Sequence, residues 1–120
     1  ERRRGSGTIV TAAGRRDVEA WGTRAEWCDY SGPVDGRVYG VAIFDHPDNP
    51  RHPTWWHARD YGLMAANFLG RHDFEKLADT RAGELAIPAG GRLILRYRLY
   101  FHHGDEKSAR VDNWYRDYAR

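Results

Sequence analysis

The stretch from Ala42 to Gly62, AIFDHPDNPRHPTWWHARDYG, holds three of the chain's six histidines, three of its five prolines and two of its five tryptophans. His46, His52 and His57, with Asp45 beside them, are residue types that ligate a divalent metal. Their separations of six and five residues match neither the HExxH helix face nor a zinc finger. Imidazole titrates nearest neutral pH, so His46, His57 and His102, with Asp29, Asp45 and Asp60, are candidates for general acid and base work. A plainer role is that one or two of the rings hydrogen-bond loop backbone groups. Trp55 and Trp56 can offer a flat apolar face to a sugar ring, with Asp45, Asn49, His57 and Arg59 as directed donors and acceptors. Adjacent tryptophans are expected to point to opposite sides, at least one of them into a core.

These residues need a scaffold. Proline at this density removes backbone donors and restricts its neighbours, so the segment reads as a shaped loop. Turn signals at Gly14, Gly22, SGPVDG (31–36) and PAGG (88–91) separate short apolar or alternating runs, which predicts an antiparallel, mostly β domain. The candidate strands are 8–12, 24–30, 37–44, 61–68, 84–87 and 92–102. VYGVAIF (38–44) is apolar on both faces, which predicts a central, doubly covered strand leading into the proline loop. In 92–102, Leu93, Leu95, Tyr97, Leu99 and Phe101 share one face, expected in the core. Arg96, Arg98, Tyr100 and His102 share the other, a ribbon of donors toward water or a cleft that would bind carboxylates, phosphates or sugar hydroxyls. Val111, Trp114, Tyr115 and Tyr118 recur at helical spacing, predicting a C-terminal helix over 106–118 capped by Asp105.

Composition excludes several classes. The 120 residues make one domain, with residues 1–7 (ERRRGSG) read as a flexible N-terminal segment and 8–120 as the folded unit. The 19 Lys and Arg against 17 Asp and Glu are interspersed and leave a formal charge of +2, without the positive field that nucleic-acid binding requires. The one cysteine, Cys28, has no second thiol and reads as a small strand residue. No apolar run is long enough for a membrane span, and no signal peptide is legible in this chain, so no membrane partner is expected and the cytoplasm is the default compartment. There is no GxSxG elbow, phosphate loop or GxGxxG.

WCDYSG, GVAIFDHPDNPRHPTWWHARDYGLMAANFLG and LRYRLYFHHGD resemble the C-terminal half of the PmoA-like proteins, a family of uncharacterised function that carries the name methane oxygenase PmoA. The resemblance runs from Trp21 to Tyr118 and implies a bacterial, β-sandwich-rich protein. The oxygenase name carries no activity over, since this chain has no apolar span of the kind the membrane monooxygenase subunit needs. The family string falls on Asp45, His46, Pro47, Asn49, Arg51, His52, Pro53, Trp56, His57, Arg59 and Tyr61, then Asn67 and His102. Family members are longer, with further strands before this region, which implies a missing N-terminal half or a homo-oligomeric partner. The ending IPAGGRLILRYRLYFHHGD also resembles the closing strands of sugar-active, mutarotase-like β-sandwiches.

Together these readings give an antiparallel β-sandwich portion of the mutarotase-like supersandwich type with one C-terminal helix. The expected function is carbohydrate binding or carbohydrate chemistry, with enzyme and binding module both open and no cofactor required. Asp45, His46, His57 and His102 are the catalytic candidates, and Asn49, His52, Trp56, Arg59, Asn67, Arg96 and Arg98 the substrate-binding ones. The alternatives are a metal-dependent hydrolase or oxygenase with a divalent ion on His46, His52 and His57, and a noncatalytic half-domain that needs a partner.

Overall fold

The computed structural model describes residues 7–120; the Arg2 to Arg4 run and the rest of the expected terminal segment up to Ser6 lie outside the described residues. Its centre is the hairpin of β2 (Trp27–Val34) and β3 (Arg37–Asp45). Val34 pairs with Arg37, so Asp35 and Gly36 form a two-residue turn, with φ of 50° and 79°. Both central residues must be left-handed in the turn whose twist matches that of the strands, which is why Asp-Gly stands there. β1 (Thr8–Thr11) pairs antiparallel with β2, and β6 (Tyr97–His103) pairs antiparallel with β3, giving the order β1-β2-β3-β6. A second antiparallel sheet is the pair β4 (Trp55–Arg59) and β5 (Leu63–Asn67). The chain is therefore mostly β and antiparallel, with one main helix.

Strand alternation assigns the two cores. On one face of the four-stranded sheet, Ile9, Cys28, Tyr30 and Ile43 meet Trp56, Ala58, Met64 and Ala66 of the β4–β5 pair, a sandwich-like contact of sheet on sheet. On the other face, Trp27, Ala42 and Phe44 meet Val111 and Tyr115 of the helix. β3 thus contributes to both cores and is central, as its sequence predicts. Cys28 is fully buried on β2, and burial pushes its thiol pKa up, with Asp29 adding to the shift.

Several expectations need correction. Part of the proline-rich segment is regular: Pro53 is the last of its prolines, and from Trp55 every residue has a donor to give, so β4 forms there. The last strand begins at Tyr97, not Arg92, because Tyr97 already pairs with Asp45, the last residue of β3. Residues 92–96 have no neighbouring strand. Residues 84–87 are likewise irregular. The apolar face of the last strand is not in the core: Leu99 and Phe101 are 55% and 74% exposed. The second sheet does not extend over them. The helix α2 covers Val111–Ala119, later than expected, since Asp105 caps a turn instead: its Oδ1 accepts from the N–H groups of Lys107 and Ser108. A 3-10 turn at Asp17–Ala20 and the short helix α1 (Arg71–Phe74) complete the described elements. No helix among the described residues is long and apolar enough to cross a membrane.

Candidate functional site

The loop from His46 to Thr54 is closed on itself by Asp45, which is buried at the end of β3. Its Oδ2 accepts from the Thr54 N–H at 2.9 Å and lies 2.7 Å from His52 Nδ1, while its Oδ1 accepts from Asn49 Nδ2 at 2.7 Å. Asn49 also clamps Arg96: its Nδ2 donates to the Arg96 carbonyl, and its Oδ1 accepts from the Arg96 N–H at 2.7 Å. Asp45, Asn49 and His52 thus form a clasp that pins the proline loop to the chain entering β6. His46 stands apart, with Nδ1 accepting from the Asp48 N–H and its ring edge-on to Tyr118.

The donor ribbon on β6 runs beside the helix and the turn before it. Arg98 lies 4.6 Å over the Tyr118 ring, and Tyr100 donates to the Ala109 carbonyl. His102 is buried, with Nε2 2.5 Å from Asp29 Oδ1, and the other Asp29 oxygen has no hydrogen-bond partner among the described residues. Burial pushes the Asp29 carboxyl up to about 6; the hydrogen bond and charge of His102 oppose this, and Glu106 and Asp105 add to it. Arg96 and Arg98 are exposed, the water-facing alternative of the ribbon reading, while His102 is buried against Asp29.

The neighbouring tryptophans do point to opposite sides of β4. Trp56 is wholly buried between the sheets and donates its indole N–H to the Ala25 carbonyl, so it fills the core and offers no ligand face. Trp55, His57 and Arg59 face outward with Asn67, the cross-strand partner of Trp55. His57 packs edge-on against Trp21 and Phe74, and Arg59 lies 4.7 Å over Trp21. Asn67 closes a turn, its Oδ1 accepting from the Leu69 N–H. The three histidines sit in three different settings. Among the described residues, no group of three or more His, Cys, Asp or Glu could hold a metal ion.

The outer face of β4 opens into a cavity of about 400 Å³ lined by Arg24, Arg51, Trp55, Arg71, Glu75 and Gly83. Arg24 lies 4.3 Å over the Trp55 ring and donates to the carbonyls of Pro53 and Arg51. Arg51, at the left-handed φ of 63°, donates to the carbonyls of Phe68, Gly83 and Glu84. Glu75 accepts from the Trp55 indole at 2.8 Å and from Arg71 Nε at 3.3 Å. The indole bond first, then Arg71, holds its carboxyl below the ordinary carboxylate value. Arg71 and Glu75 form an i,i+4 pair at the short helix α1, but nothing local in the sequence joins them to Arg24, which a separate segment brings to the cavity. Only Trp55 and Arg51 stand in the segment whose residue types attract notice.

Comparison with known proteins adds one finding: residues 2–116 match the sequence pattern of a family described as a family of unknown function, DUF6807. No curated protein and no solved structure matches the chain.

Proposed function

The chain belongs to the DUF6807 family of unknown function, and on that premise we propose that it binds a carbohydrate-like, hydroxyl-rich small molecule in the cavity on the outer face of β4. The observation that carries this reading is a concavity of about 400 Å³, within the range of small-ligand sites, walled by an indole and three guanidinium groups. Two of those guanidiniums are fixed by backbone carbonyls before any ligand arrives. Donors held in place lose little freedom on binding, which favours affinity for a polar ligand. The resemblance of the sequence to sugar-active β-sandwiches supports the same class of ligand.

The cavity favours binding over glycoside hydrolysis. Hydrolysis of that kind needs two carboxyl groups flanking the bond. Glu75 is the one carboxylate among the lining residues, and it is committed to Trp55 and Arg71.

Titration calorimetry against a panel of neutral and acidic mono- and disaccharides tests the proposal. The expected result is saturable heat with at least one member, weakened about tenfold in Arg71→Ala, the size of effect a charged hydrogen bond carries. A folded protein that gives no saturable heat with any member of the panel overturns it.

A further inference from the structure

We infer that the ligand of this cavity is an acidic sugar, one that carries a carboxylate or another oxyanion, and that Arg71 and Arg24 hold the anionic group. This inference rests on the binding reading above and names the chemical class of its ligand.

Three guanidiniums face one carboxylate across the cavity. Guanidinium stays protonated at any accessible pH, so the surplus is permanent. Backbone carbonyls consume donors without cancelling charge, so Arg24 and Arg51 are anchored yet still positive. Glu75 offsets only one of the three. The donors left over point to where an anion would be held. Arg71 uses Nε on Glu75, and no bond within the described residues takes either of its terminal nitrogens. Arg24 uses Nε and one terminal nitrogen, and no bond within the described residues takes the other.

A neutral sugar would satisfy hydroxyl partners and leave two positive charges uncompensated in a partly enclosed space. An oxyanion makes charge-assisted bonds, roughly twice as strong as neutral ones, and a guanidinium fork matches two oxygens of one acid group. Trp55 limits the site in another way. It is buried, its N–H is spent on Glu75, and Arg24 covers one ring face. Aromatic stacking is therefore a small share of the recognition here, and charge a large one.

Calorimetry on the whole chain with matched pairs tests this: glucose against glucuronate, galactose against galacturonate, and glucose against glucose 6-phosphate. The acidic member is expected to bind at least tenfold more tightly, with the gap narrowing as salt is raised from about 0.02 to about 0.5 M. Which acid leads distinguishes a carboxylate from a phosphate ligand. Arg71→Gln should shrink the ratio of acidic to neutral affinity toward one. Glu75→Gln keeps an oxygen to accept the Trp55 N–H and removes the opposing charge, so it should raise that ratio several-fold, an effect that loss of structure would not produce. Equal binding of both members of every pair overturns the inference while leaving the binding proposal standing. Binding of neither member of any pair by a cooperatively folded protein overturns both.

Discussion

Asp29 and Asp45 are both buried, yet their carboxylates are provided for differently. Asp45 receives donors from Asn49, His52 and the Thr54 backbone, so its charge is matched by local bonds. Asp45→Ala would strand those donors and release the loop, and an unsatisfied buried group costs about 1–3 kcal/mol. The expected loss is about 3 kcal/mol, read as a lowered urea midpoint. Among the described residues, the Asp29 carboxyl has His102 as partner to one oxygen and none to the other. Its pKa of about 6 lies above the ordinary 3.8, so the folded state keeps a proton that the unfolded chain releases. Stability from this group is full below about pH 4 and is lost as pH rises through about 6. Asp29→Asn removes that dependence. The difference in unfolding free energy between the two proteins, measured by urea titration at several pH values, should change between pH 4 and 6 and be flat outside that window. A difference that is flat throughout would show that Asp29 titrates alike folded and unfolded.

At the scale of elements, β4 and α2 hold the central sheet from opposite sides, and each has one residue whose removal is diagnostic. Trp56→Ala opens a cavity between the sheets and strands the Ala25 carbonyl, at a cost of about 3–5 kcal/mol in chemical denaturation. Tyr115→Phe removes only the hydroxyl that donates to the Asp45 carbonyl at 2.8 Å, so about 1 kcal/mol is expected. These same elements mark how far the sequence can be read. β1, β3 and the Asp35-Gly36 turn are legible because short apolar runs and the turn residues that bound them are local signals. Residues 92–96 alternate as well as those of β6 do, and the alternation stops mattering where β3 turns into the proline loop at His46. Pairing depends on a neighbour that the strand's own residues do not encode. The clasp was half legible: Asp45, Asn49 and His52 draw attention by type, but only the fold makes them one another's partners. Arg71 and Glu75, four residues apart, can be read as a helical ion pair, but their meeting with Arg24 is not legible, because a cavity built from separate segments leaves no spacing to recognise.

At the scale of the whole molecule, the described layers leave part of one sheet face bare. Its radius of gyration is 15.3 Å, against about 14 Å expected for a compact chain of this length. The second sheet covers Ile9 and Cys28 but leaves Val34, Leu99 and Phe101, on the same face, exposed. Beside them Tyr30, Val41, Ile43 and Met64 line a cavity of about 560 Å³. Apolar surface gathered in this way is uncommon on a soluble monomer, where exposed apolar residues are normally scattered. β6, at the edge of its sheet, carries Leu99 and Phe101. Water in contact with that patch is costly, so the folded protein should bind an apolar fluorescent dye well below the denaturant concentration at which it unfolds. Replacing Leu99 and Phe101 together by lysine removes the most exposed part of the patch without touching either core. Dye binding should then fall several-fold, while the urea midpoint shifts little, since exposed positions typically change stability by about 0.5 kcal/mol or less. A midpoint that drops by several times that amount would mean these side chains are packed in solution, and the bare face would have to be redrawn.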